Sequence, residues 1–323
     1  RGASMCFGRN FNVTLIAAFE LNAVPIVVAD MLTSGVENPD LELPTAGHVS
    51  NLTPGRHVPS DPMQKRVISA PNLAVGFAGD VNRLLRIVRS LKRLANEGTV
   101  TRKSWLQFLE DKAPMLNDVA MAGFLLEPRD DGTHDSFMVG WQAQSLRIGS
   151  AQMLAAGSGL GEFANVTTTV PHAWELPSPA SEICTAFSFC SALLREEHAT
   201  GAPVTESAAG GAYEVAYLSG NGFKKAGNVT FVSWEVEISQ DVVQFSFPFL
   251  IVKQQYSGDS VLLNCARWNG VLTYEDAAPV YVPRLHVVLP PLGEQTKQAV
   301  PSTETMGFDS PVSIHTFLVV AGE

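Results

Sequence analysis

The chain has 323 residues, of which 46% are hydrophobic and 17% charged, so it can bury a large core and general disorder is not expected. Its formal net charge of −10 argues against the clustered Lys and Arg that bind nucleic-acid phosphates or anionic lipid. We therefore expect neither a nucleic acid nor a membrane as a partner.

The first 31 residues divide into a short leader and a predicted strand pair. Residues 1–11 form an N-terminal segment, in which 1–4 read as an expression-vector remnant before Met5. Residues 12–20 and 24–31 are two apolar, β-rich runs joined by a short polar turn, which predicts a largely buried hairpin. The following segment, 36–64, is rich in proline and glycine and predicts a long loop.

The middle of the chain predicts alternating strands and helices. Two strands are expected in 66–80, broken at Pro71-Asn72, with Asp80 as the N-cap of a helix that turns Leu84 and Val88 inward. Further predicted elements are a helix at 103–116, strands at 119–127, 135–142 and 152–159, a helix beginning near Ser178 with Ile183 and Phe187 inward, and a strand at 213–220. From residue 227 to residue 323 the pattern is almost purely β, which predicts a β-rich C-terminal extension.

Six short motifs occur in a recognisable order along this pattern. They are VVAD (27–30), TSG (33–35), a basic residue before VIS (66–69), GFAGD (76–80), AAGSG (155–159) and ESAAGGAYEVAYL (206–218). In this order, and with these elements between them, the chain resembles a proteasome β-type subunit of the N-terminal-nucleophile (Ntn) hydrolase superfamily. The resemblance implies an α+β fold, an αββα four-layer sandwich over residues 12–226, and self-assembly into oligomers.

The same resemblance implies a catalytic centre at the start of the first strand, where a free α-amine activates the side chain of one residue. The family spacing, counted back sixteen residues from Asp30, places the nucleophile at Thr14, and the serine of the GSG motif is Ser158. The family's lysine is replaced here by Arg66 and its aspartate before the glycine pair by Glu206. Arginine keeps its proton at any accessible pH, so it can supply charge but cannot exchange protons as lysine can.

Three other interpretations of these residues stay open. Thr14 is also an ordinary β-branched strand residue. Asp30, Arg66 and Glu206 can form a buried ion-pair network without catalysis. Cys6 would become an alternative N-terminal nucleophile if Met5 were removed, although it lies eight residues before the expected position.

Cofactors and metals are not expected from the sequence. The four cysteines, Cys6, Cys184, Cys190 and Cys265, show no zinc or disulfide spacing, which favours a reducing, cytoplasmic location. His48 and His57 lie in the long loop, where solvated histidines are the rule.

Taken with the resemblance, the sequence predicts a proteasome-related, self-assembling or binding module without threonine-peptidase activity. The alternative is an active Ntn hydrolase, acting on a peptide or amide ligand through Thr14 or Cys6.

Overall fold

A computed structural model describes residues 14–34, 42–43, 47–48, 59–62, 64, 66–149, 151–169, 179–200, 209–220, 222–239, 242–245, 248–257, 260–267, 285–289, 297–298 and 312–321. Within these ranges it contains twenty-one strands and four α-helices. The predicted loop at 36–64 lies mostly outside the described residues, apart from short strands.

The first sheet has six antiparallel strands and opens with the predicted hairpin. Asn22 and Ala23 form its two-residue turn with φ of 44° and 65°, the left-handed pair that matches the twist of the flanking strands. In spatial order, the strands are β11 (Gln144–Ile148), β12 (Ala151–Ala156), β1 (Ile16–Leu21), β2 (Val24–Asp30), β13 (Tyr213–Ser219) and β14 (Gly222–Lys225).

The second sheet has four antiparallel strands and packs on the first through small side chains. In spatial order, these strands are β10 (His134–Trp141), β9 (Val119–Pro128), β8 (Leu73–Gly79) and β7 (Arg66–Ala70). Between the two sheets lie alanines from both, including Ala18, Ala29, Ala74 and Ala122. Their small volume permits close approach, and a Cβ on Gly76 of β8 would lie only 3.2 Å from the Ile16 side chain.

Two helices cover the outer face of the second sheet. Helix α1 (Val81–Asn96) begins after Asp80, whose carboxylate accepts the Arg83 N–H at 2.8 Å, as the sequence predicted. Helix α2 (Arg102–Lys112) follows, capped by Thr101 and continued by a short 3₁₀ turn, Ala113–Met115. Leu84 and Val88 are buried against this sheet.

Helices α3 (Leu160–Thr169) and α4 (Pro179–Thr200) lie on the free face of the first sheet. The third sheet, built from the C-terminal region, then covers α4 from the other side. Its strands are β16 (Val242–Phe245), β15 (Val229–Ser239), β17 (Leu250–Ser257), β18 (Ser260–Arg267), β19 (Leu285–Leu289) and β20 (Lys297–Gln298), with β21 (Val312–Ala321) parallel to β15. Two small ribbons complete the described strands: β3 (Leu32–Ser34) with β6 (Pro59–Pro62), and β4 (Glu42–Leu43) with β5 (Gly47–His48).

The prediction of an αββα four-layer sandwich is wrong. The described chain is predominantly β, with several antiparallel sheets and only four α-helices within the ranges given above. The physical reason lies in α4, which an αββα sandwich would leave as an outer layer. Phe189 of α4 packs on Phe19 of the first sheet at 6.1 Å between ring centroids, while Phe187 packs on Phe231 of the third sheet at 6.0 Å. One core therefore runs from the first sheet through α4 into the third sheet.

Helix α4 shows this burial in its own sequence. Between residues 185 and 194 it is apolar or small on every side, and buried residues occur all around its circumference. A helix this apolar must be covered over most of its circumference, and a narrow stripe that includes Cys184 stays exposed. The β-rich region from residue 229 onward is thus an integral layer of the molecule, since its described strands supply part of that cover.

Candidate functional site

Thr14 and Ser158 meet where the first sheet ends. Strand β1 pairs with β12 so that Ile16 lies opposite Ala156, and this register brings the chain entering β1 beside the turn that follows β12. The Thr14 N–H donates to the Ser158 hydroxyl at 3.2 Å, and the Gly159 N–H donates to the Thr14 carbonyl at 3.2 Å. Thr14 is only 2% exposed, so the surrounding protein encloses it.

The approach of this turn to Thr14 depends on glycine. Gly157 has a φ of 108°, which L-residues with side chains rarely adopt. A Cβ at this position would lie 1.9 Å from the Thr14 carbonyl oxygen, well inside van der Waals contact. The GSG motif therefore closes a turn directly against the backbone of Thr14.

Asp30 ties the start of β1 to a second turn. Its carboxylate is fully buried at the end of β2. One oxygen accepts the Leu15 N–H at 2.9 Å, and the other accepts the Gly210 N–H at 3.0 Å. Hydrogen bonds from backbone N–H groups to a carboxylate are charge-assisted and stabilise its ionised form. Asp30 thus fixes the residue after Thr14 relative to the Gly210-Gly211 turn.

A second buried carboxylate holds the Gly210-Gly211 turn from the opposite side. Glu197, on α4, accepts the Gly211 N–H at 3.1 Å and the Tyr213 hydroxyl at 2.9 Å. Burial raises the pKa of Tyr213 well above its ordinary value, and the negative charges of Glu197 and Asp30 raise it further. The phenol therefore stays protonated and remains a donor to Glu197 throughout the physiological pH range.

The sequence did not identify Glu197 or Tyr213 as members of the site. Glu197 lies in the run Arg195-Glu196-Glu197, which looks like the solvated end of a helix. Its burial depends on the packing of α4 between two sheets, which no local pattern reveals. The only local signal was the Gly210-Gly211 pair, because two adjacent glycines often mark a backbone that approaches another group closely.

The structure brings together three of the predicted site residues: Thr14, Asp30 and Ser158. Arg66 lies opposite Gly76 in the register of β7 and β8, which places its backbone in the sheet facing β1, but its side chain lies outside the described residues. Its predicted ion pair with Asp30 or Glu206 stays a prediction.

Two other predicted residues, Glu206 and the alternative nucleophile Cys6, lie outside the described residues altogether. Ala209, which the resemblance aligns with a serine of the proteasome β-type subunits, is buried and lies next to the Gly210-Gly211 turn. Its methyl group offers no hydroxyl to the site.

The chemistry available at this arrangement is limited. The Thr14 nitrogen is the amide of the Val13–Thr14 peptide bond, and an amide N–H is a donor without basic character. Among the described residues, no group of three or more His, Cys, Asp or Glu side chains could hold a metal ion. A helix long and apolar enough to span a membrane does not occur in the described part of the chain.

Comparison with known proteins adds no family assignment. A scan against models of protein families found no match to this chain, and a search of curated proteins found none that met the threshold for significance.

Proposed function

We propose that this protein is a relative of proteasome β-type subunits that lacks conventional threonine-peptidase activity and acts as a self-assembling or binding module. Two positions support the loss of activity: Arg66 stands where the resembled family has a lysine, and the buried Ala209 stands where that family has a serine. A threonine hydroxyl is a weak nucleophile without a base, and a positioned base contributes about 10²–10⁴ in rate.

The second candidate function is an active Ntn hydrolase that cleaves a peptide or amide ligand. The convergence of Thr14, Asp30 and Ser158 favours it, because these residue types meet where the resembled family has its nucleophile. Activity through Thr14 would require cleavage of the Val13–Thr14 bond to release an amine. Cys6 would have to become N-terminal in the same way.

Self-association and a cytoplasmic location belong to the same proposal. The three cysteines in the described ranges, Cys184, Cys190 and Cys265, form no disulfide, as a reducing compartment allows. Oligomer formation is expected by analogy with ring-forming subunits. Light scattering on the purified chain should give a multiple of 34.7 kDa, and a dilution-independent mass of 34.7 kDa would contradict self-association.

A peptidase assay separates the two candidate functions. The full chain is incubated with a panel of fluorogenic peptides that carry basic, acidic or apolar residues before the scissile bond, beside a Thr14→Ala control. We expect no cleavage above the Thr14→Ala background. Robust cleavage that Thr14→Ala abolishes would establish the hydrolase instead.

A further inference from the structure

Among the described residues, Glu197 is the one buried carboxylate at the candidate site that comes from outside the first sheet. It projects from the last two turns of α4 and is fully buried. Each of its oxygens accepts one described donor: Oε1 accepts the Tyr213 hydroxyl, and Oε2 accepts the Gly211 N–H. One donor, Gly211, lies in the glycine turn, and the other, Tyr213, is the first residue of β13, so the carboxylate fixes where that strand begins.

The backbone of the turn is shaped around this carboxylate. Gly210 has a φ of 140° and Gly211 a φ of 80°. A Cβ on Gly210 would lie 2.2 Å from Glu197 Oε1, so the absence of a side chain is what lets the carboxylate reach the turn. In this conformation, the adjacent amides of Gly210 and Gly211 point to two different carboxylates, Asp30 and Glu197.

We propose that Glu197 is a positioning residue for the Thr14 site. By holding Gly211, it sets the direction of the Gly210 N–H, and that N–H holds Asp30. Asp30 in turn holds the Leu15 N–H, one residue from Thr14. The chain of contacts thus runs from α4 to Thr14 through one turn and one carboxylate. This inference rests on the proposed role of the Thr14 site, whether that site binds a ligand or cleaves one.

Glu197→Gln tests this chain of contacts with a minimal change of shape. Glutamine keeps one carbonyl oxygen for the Gly211 N–H and replaces the other oxygen with an NH₂ group, which only a Tyr213 hydroxyl turned to accept can satisfy. Both contacts therefore lose their charge assistance. We expect amide hydrogen exchange of Gly210 and Leu15, followed by NMR on the full-length protein, to accelerate about tenfold, as the difference between charged and neutral hydrogen bonds implies. Amides in the centre of the β1–β2 hairpin should keep their wild-type rates.

Glu182→Gln is the matched control. Glu182 is also a buried carboxylate on α4, 4% exposed, and it accepts a hydrogen bond from the Asn22 side chain, away from the glycine turn. This variant should lower global stability without selective acceleration at Gly210 and Leu15. Equal acceleration in both variants, or Gly210 and Leu15 rates within about twofold of wild type in Glu197→Gln, would overturn the positioning role.

Tyr213→Phe provides a second test of the same contacts if Glu197→Gln does not fold. Tyr213→Phe removes one of the two donors that orient the Glu197 carboxylate and leaves Asp30 and Gly210 intact. It should accelerate exchange at Gly210 and Leu15 in the same direction, and unchanged rates would overturn the inference. The exchange measurement needs no catalytic turnover, so it stays informative even if the peptidase assay shows that Thr14 is active.

Discussion

Replacing Gly210 with alanine should destabilise the protein far more than its backbone strain alone requires. The substitution has two separable costs. A non-glycine residue at a φ of 140° is strained, which costs about 1–3 kcal/mol. The new Cβ would also lie 2.2 Å from Glu197 Oε1 and 2.6 Å from its Cδ, so the buried carboxylate must move.

The second cost can be estimated from the contacts that Glu197 would lose. It accepts the Gly211 N–H and the Tyr213 hydroxyl, and a hydrogen bond to a charged group contributes about 1.5–3 kcal/mol. Loss of both would add about 3–6 kcal/mol to the strain. This is a large fraction of the total stability of a typical domain.

Gly98→Ala is the control that isolates the strain. Gly98 has a φ of 149°, close to that of Gly210, but a Cβ there would meet nothing within 4 Å. Urea denaturation followed by circular dichroism should give a free energy of unfolding at least about 3 kcal/mol lower for Gly210→Ala than for Gly98→Ala. A difference below about 1 kcal/mol would refute the reasoning, because it would mean that the Glu197 contacts contribute little.

Three further outcomes are expected. Gln254 is 1% exposed, and both its side-chain polar atoms lack a hydrogen-bond partner among the described residues. Gln254→Met should therefore raise the free energy of unfolding by about 1 kcal/mol or more in urea titrations, and a loss of stability would contradict this. The folded-state pKa of Tyr213 is raised above that of the unfolded chain, so the contribution of Tyr213 to stability is complete below pH 10 and is lost as the pH rises further. The free energy of unfolding, measured from pH 9 to 11, should therefore fall less steeply in Tyr213→Phe than in the wild type. Equal slopes would contradict the raised pKa of Tyr213. In a Cys6→Ser background, iodoacetamide should modify the exposed Cys184 before Cys190, because burial raises the pKa of Cys190 more than that of Cys184. The labelled sites are identified by mass spectrometry, and modification of Cys190 first would be inconsistent with its burial.

Local patterns predicted the elements that depend on neighbouring residues. The opening hairpin follows from two apolar runs around a polar turn, and the start of α1 follows from Asp80 as a cap. Strand β11 and helix α3 were not predicted. Both are short: β11 has five residues and lies directly before β12, and α3 begins directly after the GSG turn. The layered arrangement was predicted wrongly, because the sequence does not show that the C-terminal sheet packs on α4.

The residues of the candidate site also divide into those that the sequence predicted and those that it did not. Thr14, Asp30 and Ser158 were predicted from their spacing by the resemblance, and the structure places them close together, while their role stays a prediction. Glu197 could not be found, since its importance arises from a contact between a helix and a turn that the chain brings together only on folding. Charge alone cannot distinguish it from Glu196, its exposed neighbour.

The proposed loss of peptidase activity requires that Thr14 remain inside the chain and lack a free amine. The most direct test is the intact mass of the protein after expression without a tag, measured by electrospray mass spectrometry before any assay. We predict a mass that includes the residues preceding Thr14, with the Val13–Thr14 bond uncleaved. A mass corresponding to a chain that begins at Thr14, or at Cys6, would contradict the claim and favour an active N-terminal nucleophile.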